Sequence, residues 1–372
     1  MQVPKMLKQL PGVLPGQNKM LRKNLPHGVV IAVVGCGYWG SKHVRVLSSM
    51  RDVLQVIAVE PDANMRRGIN KTFPNVRTAS ALVDILHEVD GVVIATPPHS
   101  HVDMALTALR AGRHVLIEKP IATSLKDATR IMNAGDSSGA IVMAGHTYEF
   151  NPIVHDLRRR IDAGEFGEIR YIHSARLNLG LYRTDVNVVW DLAPHDVSIM
   201  NFLIGESPSR VRAWGFSCAA RGVVDVAHYQ LEYSRRGIVG YGFNSWIDPR
   251  KVRQLTIVGS KKMAIFDDIA DEKLRIFDHH VELPAGFGTQ SPGNLLPEVN
   301  YSRGDVISPN INYGEPLLLE NQHFVDAILG RGTGLLNGQS GLEVVKVLEA
   351  IDQAMASGKP AVVKAGGMPV LN

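Results

Sequence analysis

Three clusters of residues in this chain carry groups suited to moving protons and stabilising charge. The first is Glu118-Lys119-Pro120, which directly follows the apolar run 114–117. An ammonium at such a strand end can hydrogen-bond a substrate hydroxyl and lower its pKa, or donate a proton in the reverse direction. A cis bond before Pro120 would aim the lysine. Taken alone, Glu118 and Lys119 are equally an exposed strand-end ion pair. The second is Trp190-Asp191-Leu192-Ala193-Pro194-His195-Asp196. Asp191 and His195, four residues apart, share one face of a helix. Imidazole titrates near neutrality and a neighbouring carboxylate orients it, which suits removal of an alcohol proton during hydride transfer. A helix opening near Asp191 would leave Pro194 in its first turn, where proline is tolerated.

The third cluster binds rather than reacts. The β-branched run 29–34 leads straight into Gly35-Cys36-Gly37-Tyr38-Trp39-Gly40. Glycines so placed after a buried strand permit a tight turn, close backbone approach to a pyrophosphate and close packing of the next helix, whose N-terminal amides then face the phosphates. Glu60 lies 20 residues after Gly40, at the end of a second apolar run. A carboxylate there accepts hydrogen bonds from ribose hydroxyls and repels a 2′-phosphate, so it favours NAD over NADP. A third strand end, Ala95-Thr96-Pro97-Pro98-His99-Ser100-His101, opens on the same crevice. With no third ligand near, His99 and His101 are read as a cofactor-side turn and not as a metal site, and Glu118 and Lys119 at the next strand end are likewise read as lying beside the cofactor.

The elements that must position these groups follow from pattern. Between residues 29 and 147, strands at 29–34, 53–59, 91–95, 114–117 and 140–144 alternate with helical patterns near 41–50, 63–70, 80–88, 101–111 and 124–135. That alternation predicts a doubly wound parallel sheet. Beyond Phe150 come helices near 153–163 and 191–204, and strands around 168–178, 210–218, 224–234, 237–246, 252–258 and 262–267. The fold class is therefore α/β: an N-terminal Rossmann domain (28–148) and a C-terminal α+β domain (149–372) built on an open, mostly antiparallel sheet. Residues 278–314 read as a long surface excursion, and helices near 315–330 and 340–357 close the chain.

Composition narrows the partners. The net charge is +4, but residues 1–27 alone carry +5, so the remaining body is close to neutral. Nucleic-acid binding, which needs basic charge spread over a face, loses its main support. The basic, proline-interrupted stretch 1–27 is read as a disordered extension and not a secretory signal. No run has the apolar length of a membrane span. Cys36 and Cys218 stand far apart with no zinc-site spacing, so neither a disulfide framework nor a metal is expected and a reducing cytoplasm fits.

The ordered set of Gly35-Cys36-Gly37-Tyr38-Trp39-Gly40, Ala95-Thr96-Pro97-Pro98-His99-Ser100-His101, Glu118-Lys119-Pro120 and Asp191-x-x-x-His195 resembles the glucose-fructose oxidoreductase / inositol dehydrogenase / MocA family over residues 28 to 365. The resemblance implies nicotinamide-linked redox of a sugar or cyclitol hydroxyl, and a second domain whose open sheet mediates homodimer or homotetramer contacts. By position, Lys119 matches the lysine that contacts hydroxyl and cofactor, His195 the acid/base, and Asp191 the carboxylate that binds substrate or orients that histidine. Arg176-Leu177-Asn178-Leu179-Gly180 with Tyr182, Arg183, Asp185 and Asn187 resembles the branch acting on nucleotide-linked or antibiotic-attached amino sugars at C3, so Arg176, Asn178, Tyr182 and Arg183 are expected to bind substrate. Trp246 and Lys251 are weaker candidates for the same pocket. Rival readings are an NADPH-dependent keto-sugar reductase, a cyclitol dehydrogenase and a catalytically idle NAD(H) redox sensor.

Overall fold

In the computed structural model, which describes residues 28–180, 182–183, 185–234, 236–283, 299–331 and 338–364, the apolar run forms β1 (Val29–Val34). It is followed by α1 (Tyr38–Ser48), β2 (Val53–Val59), α2 (Ala63–Thr72), β3 (Arg77–Ala79), β4 (Gly91–Ile94), α3 (His101–Arg110), β5 (His114–Glu118), α4 (Leu125–Ser138) and β6 (Val142–Gly145). The strands form one parallel sheet in the order β3-β2-β1-β4-β5-β6. Buried on both faces, the central strands need continuous apolar sequence, and that is why they were visible as uninterrupted Val/Ile runs. The order reverses between β1 and β4, which opens a crevice at the C-terminal ends of these two strands, where ligands of such sheets bind.

Two stretches depart from expectation. β3 is too short to show a pattern. Residues 80–88, expected to be helical, instead make two single 3₁₀ turns, Leu82–Asp84 and Leu86–Glu88. Leu82, Ile85 and Val89 are buried at near-helical spacing, and tight turns satisfy that spacing as well as a helix does.

The chain continues through α5 (Pro152–Asp162), β7 (Ile169–Leu179), α6 (Val188–Ile204), β8 (Arg210–Phe216), β9 (Val226–Tyr233), β10 (Ile238–Ser245), β11 (Ile247–Gly259), β12 (Met263–Asp267), β13 (Leu274–Glu282), β14 (Asn300–Ile307), α7 (Pro316–Ile328), α8 (Gly338–Ser357) and β15 (Ala361–Val362). A nine-stranded sheet runs β14-β13-β12-β11-β7-β10-β9-β8-β15, with only β7 and β10 parallel. Along β7, Ile172, Ser174 and Arg176 are buried while Tyr171 is exposed, so the strand has a covered and an open face. α6 is apolar nearly all round and buries most of its residues, as a core helix does. Within the expected excursion 278–314 the structure has β13 and β14 as an antiparallel pair. β14 is exposed almost throughout and lacks the alternation that reveals a strand. Residues 1–27 and 284–298 lie outside the described residues.

By internal contact, one compact unit holds the described residues up to Asn151 together with Gly314–Glu349, and the other Pro152–Tyr313 with Ala350–Val363. The expected single boundary at 148/149 is thus replaced by a chain that returns. Phe324, Val325 and Ile328 of α7 join the apolar cluster of Val29, Ile31, Val93 and Leu116. A side chain at Gly91 would lie 2.7 Å from Ile328 Cδ1, so glycine on β4 admits α7 at close range. Among the described residues no helix is long and apolar enough to cross a membrane.

Candidate functional site

The glycines after β1 divide the work by geometry. Gly35 has φ +83° and packs against Thr96, whose Cγ2 would be 2.8 Å from an added Cβ. A Cβ at Gly40 would lie 1.8 Å from the Gly35 carbonyl oxygen, so the third glycine closes the turn onto the helix. Gly37, the N-cap of α1, has nothing within 4 Å of its missing Cβ and no side-chain cap. That leaves the helix N-terminus open to an anion, and the loop fits a dinucleotide pyrophosphate.

Glu60 is built into this loop. Its Oε2 accepts the Cys36 N–H at 3.0 Å and its Oε1 the Asp62 N–H at 3.1 Å, and each oxygen keeps a second lone pair for a ribose hydroxyl. The Cys36 thiol beneath it is pushed up to about 12 by burial and by Glu60, so it stays protonated. Tyr38 and Trp39 are exposed, with Lys42 Nζ 4.7 and 5.9 Å from their ring centres. Pro97 and His99 are exposed on the next turn, and Thr96 accepts a hydrogen bond from the Ser100 hydroxyl at 2.8 Å.

His101 corrects the expectation of a cofactor contact. It is fully buried, its Nδ1 2.9 Å from the Pro120 carbonyl and its Nε2 2.7 Å from the Thr96 carbonyl, so it staples the β4 turn to the Lys119-Pro120 turn. That Lys119-Pro120 bond is cis.

Glu118 is corrected likewise. Expected beside the cofactor, it is buried, with Oε1 3.0 Å from His43 Nε2 and Oε2 accepting the Lys119 N–H at 3.1 Å. Burial pushes this carboxyl up, but the hydrogen bond and charge of His43, with the Lys119 ammonium, prevail and hold it below the usual carboxylate range. Around it are groups that sequence reasoning missed. His146, just after β6, is pushed down to about 4 by burial. Glu320 of α7 is driven well up by burial and by Glu118, and accepts a 3.4 Å hydrogen bond from the Thr147 hydroxyl. His43 did leave a signal: it is a polar residue on the buried stripe of α1 with Gly40, Val44 and Leu47.

In the other unit, α6 begins at Val188, capped by Asn187, whose Oδ1 accepts the Val189 and Trp190 N–H groups at 3.0 and 3.1 Å. The helix therefore starts earlier than expected, and Pro194 lies inside it, not in the first turn. Proline supplies no N–H to the Trp190 carbonyl, which loosens the helix between Asp191 and His195. Asp191 is held from two sides: Trp246 donates its indole N–H to Oδ2 at 3.0 Å, and Arg183 reaches Oδ1 at 3.4 Å while also pairing with Asp185. The Tyr182 ring packs 5.3 Å from Trp246, and its hydroxyl donates to Asp225 at 3.0 Å. His195 is half-buried one turn on, its carbonyl accepting the Ser198 hydroxyl.

The expected sugar donors divide accordingly. Arg176 is buried and its Nε is 2.9 Å from Asp196 Oδ1, in a cluster with Ser174 and Asn244 on the same carboxylate. It neutralises a buried charge in the sheet and is not presented to a ligand. Tyr182 and Arg183 support Trp246 and Asp191. Asn178, half-buried near the end of β7, keeps a buried Oδ1 with no partner among the described residues, as a group awaiting a ligand would. No group of three His, Cys, Asp or Glu that could hold a metal ion occurs among the described residues.

Residues 29–146 match the oxidoreductase family with an NAD-binding Rossmann fold, and residues 154–265 match the GFO/IDH/MocA C-terminal domain. The chain belongs to the GFO/IDH/MocA family. It is 32% identical to UDP-N-acetylglucosamine 3-dehydrogenase of Acidithiobacillus ferrooxidans over 80% of this chain and 92% of that one. It is also 32% identical to inositol 2-dehydrogenase 2 of Saccharopolyspora erythraea, over 47% of this chain and about half (54%) of that relative. The fold matches GenD2 from gentamicin A biosynthesis in complex with NAD, with TM-score 0.76 and 21% identity over 95% of this chain and 100% of that one. The first unit is an NAD-binding Rossmann domain, and the family's enzymes are oxidoreductases.

Proposed function

We propose that this chain is an NAD-dependent dehydrogenase that oxidises a secondary hydroxyl, at C3, of a sugar in a nucleotide sugar or an amino-sugar natural product such as an aminoglycoside. The keto-sugar formed would be a substrate for transamination. The observation that carries this reading is the α6 pair, Asp191 one turn before His195, with the carboxylate fixed by the Trp246 indole and the Arg183 guanidinium.

In this reading His195 takes the hydroxyl proton on a ring nitrogen as the carbon–oxygen double bond forms. Asp191 orients the imidazole and stabilises its protonated form. The family resemblance assigns Lys119 to stabilising the charge that develops on a reacting hydroxyl, and Asn178 accepts from a sugar hydroxyl. NAD, when bound, supplies the hydride acceptor. Gly37 and the α1 N-terminus bind its pyrophosphate, and Glu60 binds the adenosine ribose, which disfavours NADP. We further propose a homodimer or homotetramer, supported by the aromatic residues Tyr171, Trp214, Phe216 and Tyr241 exposed on the nine-stranded sheet.

The test is NADH formation with UDP-sugars, aminoglycosides and free cyclitols at matched concentrations. Turnover of a UDP-sugar or an aminoglycoside above the cyclitols is expected. The similarity to inositol 2-dehydrogenase 2 favours one alternative, a cyclitol dehydrogenase, and turnover confined to cyclitols would establish that reading instead.

A further inference from the structure

The buried pair behind Lys119 has a chemistry of its own. Asn321 Nδ2 donates to the Leu317 carbonyl at 2.8 Å, which turns Oδ1 toward His43 Nδ1 at 3.1 Å. That ring nitrogen therefore carries hydrogen. The 3.0 Å contact of His43 Nε2 with Glu118 Oε1 then holds one further proton between imidazole and carboxyl, and the other carboxylate oxygen accepts the Lys119 N–H. His43 stands in the second turn of α1, the helix whose first turn opens on Gly37. One helix turn and one ion pair thus join the dinucleotide loop to the lysine.

We infer that His43 and Glu118 are positioning residues that tie the Lys119 turn to the dinucleotide-binding helix and keep an anion beside the lysine ammonium. This rests on the reading of Lys119 given above. A buried imidazole–carboxyl pair is a costly way to join a helix to a strand, since an apolar pair of the same volume often does so as well. A pair retained for its charge must act on a charge, and the ammonium of the next residue interacts electrostatically with this carboxylate. The other titratable groups facing the pair are His101 from α3, His146 after β6 and Glu320 from α7. Held neutral by burial, His146 and Glu320 add no charge of their own, so the carboxyl shared with His43 is the acidic group beside the lysine.

The experiment compares Glu118→Gln, the paired His43→Gln/Glu118→Gln, which leaves no lone buried charge, and Lys119→Ala. Thermal unfolding and NADH titration serve as controls. Removing the anion weakens the hold on the ammonium proton, so the alkaline limb of the kcat profile should move about one pH unit toward acid. kcat should fall about tenfold while NADH affinity stays within about twofold. If a folded Glu118→Gln or paired variant keeps the wild-type limb while Lys119→Ala is inactive, the pair is only structural and the inference is overturned. If Lys119→Ala itself turns over normally, the assignment of the lysine fails, and the inference with it.

Discussion

Gly37, the N-cap of α1, and Gly40, in its first turn, are three residues apart, yet the structure predicts different consequences for adding a methyl group to each. At Gly40 the new Cβ would sit 1.8 Å from the Gly35 carbonyl oxygen and 2.8 Å from its carbon, both backbone atoms. The loop must retreat by more than an ångström, and overpacking of this kind costs about 1–3 kcal/mol. Gly40→Ala should therefore lower the unfolding temperature and weaken NADH binding together. At Gly37 the methyl meets nothing within 4 Å, and φ −67° is open to alanine. The protein should tolerate Gly37→Ala, with a gain of up to about 1 kcal/mol from the stiffer unfolded chain. Its cost should fall on the ligand, because the backbone is where a pyrophosphate must approach. Loss of that approach should exceed about 1.4 kcal/mol, a tenfold rise in Kd. Thermal unfolding with NADH fluorescence titration separates the two effects. Wild-type NADH affinity in Gly37→Ala would refute the pyrophosphate assignment for this loop.

Trp246→Phe deletes the indole donor to Asp191 and should lower kcat/KM about tenfold, in line with roughly 1.5–3 kcal/mol for a hydrogen bond to a charged group. NADH affinity should not change, and an unchanged kcat/KM would show that Asp191 needs no such support. Arg176→Met leaves Asp196 without its cation and should destabilise the fold by about 3–5 kcal/mol in urea unfolding. Intact stability with only a raised KM would restore Arg176 as a substrate ligand. Glu149 is pushed up to about 7 by burial, against an ordinary value of 4.5. Its contribution is thus complete at acid pH and lost as pH rises through about 7. Glu149→Gln should therefore lose less stability than wild type between pH 5 and pH 8, and equal losses would show that the carboxyl does not titrate there.

Local chemistry and periodicity made much of this protein readable from its sequence. Continuous apolar strands announced a parallel sheet because both faces of β1, β4 and β5 are buried. The glycine loop, the strand-end lysine and the i,i+4 carboxylate–histidine pair were visible because each is defined within a few residues. Contacts distant in sequence were not. Glu118 is consecutive with Lys119, but its partner is His43, 75 residues away, and only the packing of α1 against the sheet turned the carboxylate inward. Arg176 looked like a sugar donor until the fold brought Asp196 beneath it. Trp246 became the partner of Asp191 only when the end of β10 was laid near α6. The return of α7 to the first unit likewise depended on Gly91 leaving room for Ile328. A sequence specifies which groups can donate, accept or ionise. Burial and the partner across the fold decide which of them are consumed in holding the structure and which remain to meet a ligand, because a buried charge or donor must be satisfied by whatever the tertiary structure places beside it.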